Sequence, residues 1–180
     1  MTAKTPAVGV IGLGPVGSIL AGHLANNNIN VIVQDAMPHI RSKVKQDGIN
    51  ISGITKIHAT IGKVADSIPD LAEFGAEIIF IVTKACYLKD VMAEIRQIYT
   101  PNMKIVSFQN GLDNEQFIAE QLPTGIAYRV VINYAGNLAG PGEAVMNWFQ
   151  PPNYVGALHK GKYTTDETTR TIARLLTASG

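Results

Sequence analysis

The amino-acid sequence predicts an α/β fold, a doubly wound and mostly parallel sheet with helices on both faces. Two observations carry this expectation. Short, nearly continuous apolar runs recur along the chain, as in Ala7 to Ile11, Val31 to Val33 and Ile78 to Val82, and such runs read as strands buried on both faces of a sheet. Between them lie stretches with apolar residues at helical spacing, the first of which opens directly out of a glycine-rich turn, Gly12-Leu13-Gly14-Pro15-Val16-Gly17. The 180 residues are 46% hydrophobic and 16% charged. That is enough to bury a real core, and a single domain over 1–180 fits better than two.

The elements follow in order. Ala7-Val8-Gly9-Val10-Ile11 reads as the first strand. Val16, Leu20 and Leu24 mark one face of the first helix, which Asn26-Asn27-Asn28 ends, and Val31-Ile32-Val33-Gln34-Asp35 reads as the next strand. This completes a strand-helix-strand unit of about 30 residues. From Gly48 to Ile61 apolar and polar residues alternate around Gly53, as in short, partly exposed strands. Glu77 to Thr83 is a central strand, followed by a helix whose stripe is Leu88, Val91, Met92, Ile95 and Ile98. Lys104 to Phe108 is a further strand. Asp113, three residues before Gln116, has capping-box spacing and predicts a helix to about Gln121. A β-rich run from Gly125 to Tyr134 is expected to enter a turn over Asn137 to Gly142, with strands near Ala144 to Trp148 and Tyr154 to Leu158. The last helix is expected to start near Thr164, to bury Ile172, Leu175 and Leu176, and to end at Ser179-Gly180.

The composition excludes several classes. The formal net charge is +1 with Lys and Arg scattered, so no basic stripe exists to track nucleic acid. Cys86 is the single cysteine; it permits no intrachain disulfide and fits a reducing, cytoplasmic setting. Lys4 ahead of the apolar Ala7 to Leu24 stretch imitates a signal peptide, but Gly9, Gly12, Gly14, Pro15 and Gly17 interrupt it, and a membrane span needs about 20 largely unbroken apolar residues. His23, His39, His58 and His159 are too widely spaced to suggest a metal site. Cys86 reads as a small helix residue rather than a nucleophile, and Trp148 and Phe149 as packing residues.

The glycine turn carries the chemistry. Three glycines in six residues are common, but here they follow a buried strand, open a helix and precede an acid at the end of the next strand. Asp35 lies twenty-one residues after Gly14, against the spacing of about 20 seen in Rossmann-type dinucleotide sites. In that reading Gly12 permits the tight turn, Gly14 lets a pyrophosphate approach the backbone, and Gly17 lets helix and strand pack closely. The helix N-terminus then offers N–H groups and a positive dipole end to the phosphates. A nucleotide-hydrolase phosphate loop would need Lys and then Ser or Thr after Gly17; the sequence has Ser18-Ile19. Asp35 matches a carboxylate that bonds the ribose hydroxyls of NAD and repels the 2′-phosphate of NADP, although it could also cap the following turn. Arg41 is the nearest cation in sequence. Lys84 and Asn110 stand at the carboxyl ends of two further strands, where ligands of open α/β sheets bind. Lys84 could equally be a solvated residue at a helix start, and Asn110-Gly111 a plain turn.

Several segments in order, Val8 to Gly17, Ile81-Val82-Thr83-Lys84-Ala85, Ser107-Phe108-Gln109-Asn110-Gly111-Leu112, and Pro141-Gly142 followed by Tyr154-Val155-Gly156, resemble the N-terminal cofactor-binding domain of the ketopantoate reductase (2-dehydropantoate 2-reductase) family. The resemblance implies an oxidoreductase of pantothenate biosynthesis that passes a hydride from NADPH to 2-dehydropantoate. It implies that Gly12, Leu13, Gly14, Pro15, Val16 and Gly17 bind pyrophosphate, that Lys84 lies by the cofactor, that Asn110 contacts cofactor and substrate, and that Tyr134-Ala135 runs along the nicotinamide side. Members often carry Arg where this chain has Ala36, preceded by Asp35, so the expected cofactor is NADP by family and NAD by Asp35. The family's general-acid Lys comes from a second, helical domain, and this chain stops at Gly180, about where that domain would start. The expectation is therefore a cofactor-binding part with no catalytic residue of its own, a small 2-oxo acid as substrate, and homo-oligomerisation left open. A reductase of another 2-oxo acid or an opine, or a non-catalytic dinucleotide sensor, are the other readings.

Overall fold

The computed structural model describes residues 5–178; Lys4 and the helix end at Ser179-Gly180 fall outside the described residues. Strands β1 (Val8–Ile11), β2 (Val31–Gln34), β6 (Ile78–Ile81) and β7 (Lys104–Ser107) lie where the apolar runs predict them. Their residues alternate between two cores. Val8, Val10, Val33, Phe80 and Val106 face one side, while Ile11, Ile32, Ile79, Ile81 and Ile105 face the other. A strand covered on both faces has no polar side to display, and this is why the runs are continuous.

With β5 (Lys63–Ala65), β8 (Ile126–Val131), β11 (Tyr154–His159) and β12 (Lys162–Thr164), these strands form one eight-stranded sheet in the order β12-β11-β8-β7-β6-β1-β2-β5. The pairs from β8 to β5 are parallel, and β11 and β12 add an antiparallel edge. From β1 the chain winds outward to β2 and β5; from β6 it winds the opposite way to β7 and β8. The reversal lies between β1 and β6, the place where an open α/β sheet leaves a crevice at its carboxyl ends.

Helices cover both faces. Helices α3 (Asp70–Glu73), α4 (Leu88–Ile98) and α5 (Asn114–Gln121) bury Leu71, Val91, Met92, Ile95 and Ile118 on one side. Helices α1 (Pro15–Asn26), α2 (Pro38–Asp47) and α6 (Glu167–Ala178) cover the other through Leu20, Leu24, Val44 and Ile172. That second side has an additional layer. Strands β3 (Ile49–Gly53), β4 (Ile57–Ala59), β9 (Tyr134–Gly140) and β10 (Glu143–Phe149) form a separate sheet, β4-β3-β10-β9, packed on the outside of α1. Helix α1 therefore lies between two sheets. At Gly22 a Cβ would come within 2.7 Å of Ile51 Cδ1, so any larger residue there would push the Ile51 side chain aside.

Four local expectations are corrected. Asp113 does not cap α5 through its side chain: its backbone is left-handed, φ 62°, and Gln116 donates to Glu120 instead of reaching back. Helix α6 begins at Glu167 rather than near Thr164, because Asp166 and Thr169 cap it reciprocally, the Thr169 N–H donating to Asp166 Oδ1 and the Asp166 N–H to Thr169 Oγ1, both at 2.8 Å. Asn137 to Gly140 belong to β9, which pairs with β10, so the turn shrinks to Pro141-Gly142. Trp148 is 45% exposed; only Phe149 packs against the core.

Candidate functional site

The glycine turn joins β1 to α1 at the switch point. Gly12 takes a positive φ of 97°, and a Cβ there would meet the Thr83 backbone at 3.0 Å. Gly17 lies beneath the turn, where a Cβ would fall 1.9 Å from the Gly12 carbonyl oxygen. Gly14 is the opposite case, since nothing stands within 4 Å of its missing Cβ. It occupies the N-cap of α1 with no side-chain cap bond, and Pro15 follows in the first turn. The turn thus leaves an uncapped helix N-terminus facing open space.

That space is a cleft of about 810 Å³. Gly12, Gly14, Pro15 and Val16 form its floor, Asp35 to Met37 one wall, and Lys84, Gln109 and Asn110 another. Lys84 precedes a short 3-10 turn, Ala85–Tyr87, after β6, so residues from the ends of four strands, β1, β2, β6 and β7, meet at one crevice. A second cavity, of about 30 Å³ and bordered by Ile19, His23 and Tyr134 beneath α1, has room for about one water.

Not every expected residue faces the cleft. The Leu13 side chain is fully buried in the core, and its contribution is a backbone N–H donated to Asp35 Oδ2 at 2.7 Å. Asp35 Oδ1 accepts the Met37 N–H at 2.9 Å. The carboxylate therefore ties the glycine turn to the end of β2 at the border of the cleft. Arg41 reaches the same corner, its Nη1 donating to the carbonyls of Asp35 and Ala36 at 2.8 and 3.1 Å. Ala135 lies exposed on β9 and does not line the cleft; Ile132 does. Tyr134 supports the turn from below, donating its hydroxyl to the Val16 carbonyl at 2.9 Å while its ring packs by Phe108. Cys86 is exposed, in the 3-10 turn rather than a regular helix. Among the described residues no group of three His, Cys, Asp or Glu could hold a metal ion, and no helix is long and apolar enough to cross a membrane.

Two groups stand out to which the sequence assigned no role. Gln109, 5% exposed, donates Nε2 to the Thr83 carbonyl at 2.8 Å, while its Oε1 is buried beside the cleft with no partner among the described residues. Glu115, 2% exposed, is held by Arg129 Nη1 at 2.6 Å and by the Tyr163 hydroxyl at 2.5 Å. Burial pushes the Glu115 carboxyl up, but the Tyr163 hydroxyl, a backbone N–H and Arg129 together outweigh it and hold the group below its ordinary value of 4.5. A depressed folded-state pKa stabilises the fold above the unfolded value, and that contribution is lost as pH falls through the folded value. Glu115→Gln is therefore expected to flatten the fall of stability with acid below about pH 4.5, as read by urea unfolding at stepped pH. An unchanged acid slope would contradict this.

Residues 8–160 match the family profile described as ketopantoate reductase PanE/ApbA. The chain belongs to that family. A 2-dehydropantoate 2-reductase of Streptococcus pyogenes serotype M1 is 26% identical over 135 residues, which cover 75% of this chain and 43% of that protein. One from Pyrococcus abyssi is 31% identical over 115 residues, 62% of this chain and 35% of that protein. The chain thus matches less than half the length of its curated ketopantoate reductase relatives. In fold, the crystal structure of 2-dehydropantoate 2-reductase from Methylococcus capsulatus superposes with a TM-score of 0.79 at 22% identity, over 97% of this chain and 55% of that one. D-mandelate dehydrogenase, determined with NADH and anilino(oxo)acetate, superposes at 0.78 with 18% identity, over 97% of this chain and 55% or so of its own.

Proposed function

We propose that this chain is the dinucleotide-binding part of an NAD(P)H-dependent reductase of 2-dehydropantoate or a closely related 2-oxo acid, acting in the cytoplasm. The observation that carries the reading is the Gly14 position. The turn is built of backbone at the switch point, with an uncapped helix N-terminus and no side chain between it and a cleft of dinucleotide size. Pyrophosphate binding at such a terminus needs no side-chain charge. The names of the family and of its curated relatives support the substrate class.

The bound dinucleotide supplies the hydride. The residues of this chain seat and orient it. Gly12, Gly14, Pro15 and Val16 receive the pyrophosphate, with Leu13 and Gly17 shaping the turn from behind. Lys84 can place an ammonium beside a phosphate or the substrate carboxylate, Asn110 can bond the nicotinamide ribose or the substrate carbonyl, and the free Gln109 oxygen can accept an amide N–H. No general acid is assigned within these residues; the family resemblance places that Lys in a second, helical domain.

NADH is the preferred form in this proposal. Among the described charged residues lining the cleft, Asp35, Asp90 and Glu94 are acidic and Lys84 is basic, so the two further charges of a 2′-phosphate meet repulsion. Arg41 on α2 favours the other form, because its guanidinium, bonded to the Asp35 and Ala36 carbonyls and paired with Asp66 at 3.4 Å, is the cation beside the end of β2. Calorimetric titration separates them. NADH is expected to bind about tenfold or more tightly than NADPH, a difference of about 1.4 kcal/mol. The reverse order would assign the corner to Arg41, and no binding of either would refute the cofactor reading.

A further inference from the structure

The loop after β7, residues 110–113, carries Asn110 into the cleft, yet all four of its residues are exposed. Two of them have positive φ, Gly111 at 116° and Asp113 at 62°. Such a loop has little apolar contact to hold it, and a side chain that must orient a ligand needs a fixed backbone. Side chains from outside the loop fix it. Asn114 Nδ2 donates to the Asn110 carbonyl at 3.2 Å, and Arg129 Nη2 donates to the Gly111 carbonyl at 2.7 Å.

Arg129 is itself held. Its other terminal nitrogen, Nη1, meets Glu115 Oε2 at 2.6 Å, and Glu115 Oε1 takes the Tyr163 hydroxyl. Glu115 lies in the first turn of α5, Arg129 on β8 and Tyr163 on β12. The guanidinium thus spans a buried carboxylate and a loop carbonyl with a single planar fork, which an ammonium cannot reproduce. A buried ion pair is weak evidence for net stability, but this one has a geometric result: the loop carbonyl is tied to the sheet.

We propose that Glu115, Arg129 and Tyr163 form a latch on the Asn110-Gly111 loop, with Arg129 a positioning residue that fixes Asn110 against the nicotinamide half of the cofactor. The role rests on the dinucleotide reading of the cleft. The latch does not touch the pyrophosphate turn, so loosening it affects one end of the ligand only.

Arg129→Lys is the informative variant, because it keeps a positive charge beside Glu115 and loses the fork. Arg129→Met combined with Glu115→Gln serves as a second variant that leaves no buried charge unpaired. Two measurements are needed. Backbone order parameters at the Gly111 and Leu112 amides in the ligand-free chain are expected to fall from the rigid range of about 0.85 to below about 0.6 in both variants. NADH affinity is expected to weaken about tenfold, while ADP, which lacks the nicotinamide half, stays within about twofold. Unchanged order parameters overturn the latch. A parallel loss of NADH and ADP affinity overturns the positioning role in favour of a general structural one. A wild-type chain that binds neither ligand overturns the cofactor reading and the positioning role with it, and the order parameters still decide the latch.

Discussion

Gly17→Ala is expected to destabilise the fold by at least about 2 kcal/mol, although the same exchange in an exposed helix stabilises by roughly 1 kcal/mol. The sign reverses because of what lies beneath α1. The new Cβ would fall 1.9 Å from the Gly12 carbonyl oxygen and 3.0 Å from its carbon. Both atoms are backbone, and neither can rotate away. Relief requires moving α1 off β1, and α1 is also pinned from its other side by the small sheet. Urea unfolding of wild type and variant reads the difference directly. Equal or greater stability in the variant would show that the turn relaxes more easily than the packing implies.

Gly14→Val should separate binding from folding. The position has φ −66°, which any residue adopts, and empty space where the side chain would go. Its effect on stability is expected to stay at about 1 kcal/mol, the cost of a poor N-cap residue. Dinucleotide affinity should fall at least about 100-fold, because the isopropyl group occupies the space over the helix N-terminus and removes the pyrophosphate's access to the backbone. NADH and ADP should weaken together, in contrast to the Arg129→Lys pattern. Retained NADH affinity would mean that phosphate is held elsewhere.

The two glycines show why some of this molecule can be read from its sequence. A spacing of Gly12, Gly14 and Gly17 between an apolar run and an apolar-periodic segment encodes a local event, a strand turning into a helix, and local events follow from neighbouring residues. The same is true of β6, β7 and α4, whose patterns reflect burial on two faces or on one stripe. Lys84 and Asn110 could be placed at the cleft because the ends of parallel strands converge on one crevice.

What the sequence hid is mostly non-local. The small sheet depends on β3 pairing in parallel with β10, Asn50 opposite Glu143, and nothing in either segment announces the other. Helix α2 escaped because Val44 is its one fully buried residue, too little to make a stripe. Asp35 could be placed at the end of β2 and as a cap of the turn that follows, which its bond from the Met37 N–H makes, but not against the Leu13 N–H of the glycine turn. Ala135, which the family resemblance puts along the nicotinamide side, lies exposed on β9 opposite Trp148, a position set by a strand pairing that no local pattern announces. Glu115 and Arg129 sit on different elements, so no periodicity links them.

The sandwiching of α1 has a consequence for how the protein comes into being. The helix carrying the turn needs strands from both halves of the chain, β3 and β4 from residues 49–59 and β9 and β10 from residues 134–149. Closing so long a loop is slow and entropically costly, and it comes late relative to local helix formation. During synthesis, a nascent chain that has completed only its first strand-helix-strand unit would own the whole glycine signature and still lack the far wall against which α1 is fixed. The phosphate seat is thus a product of the finished domain, and the first thirty-five residues by themselves are a signature without a site.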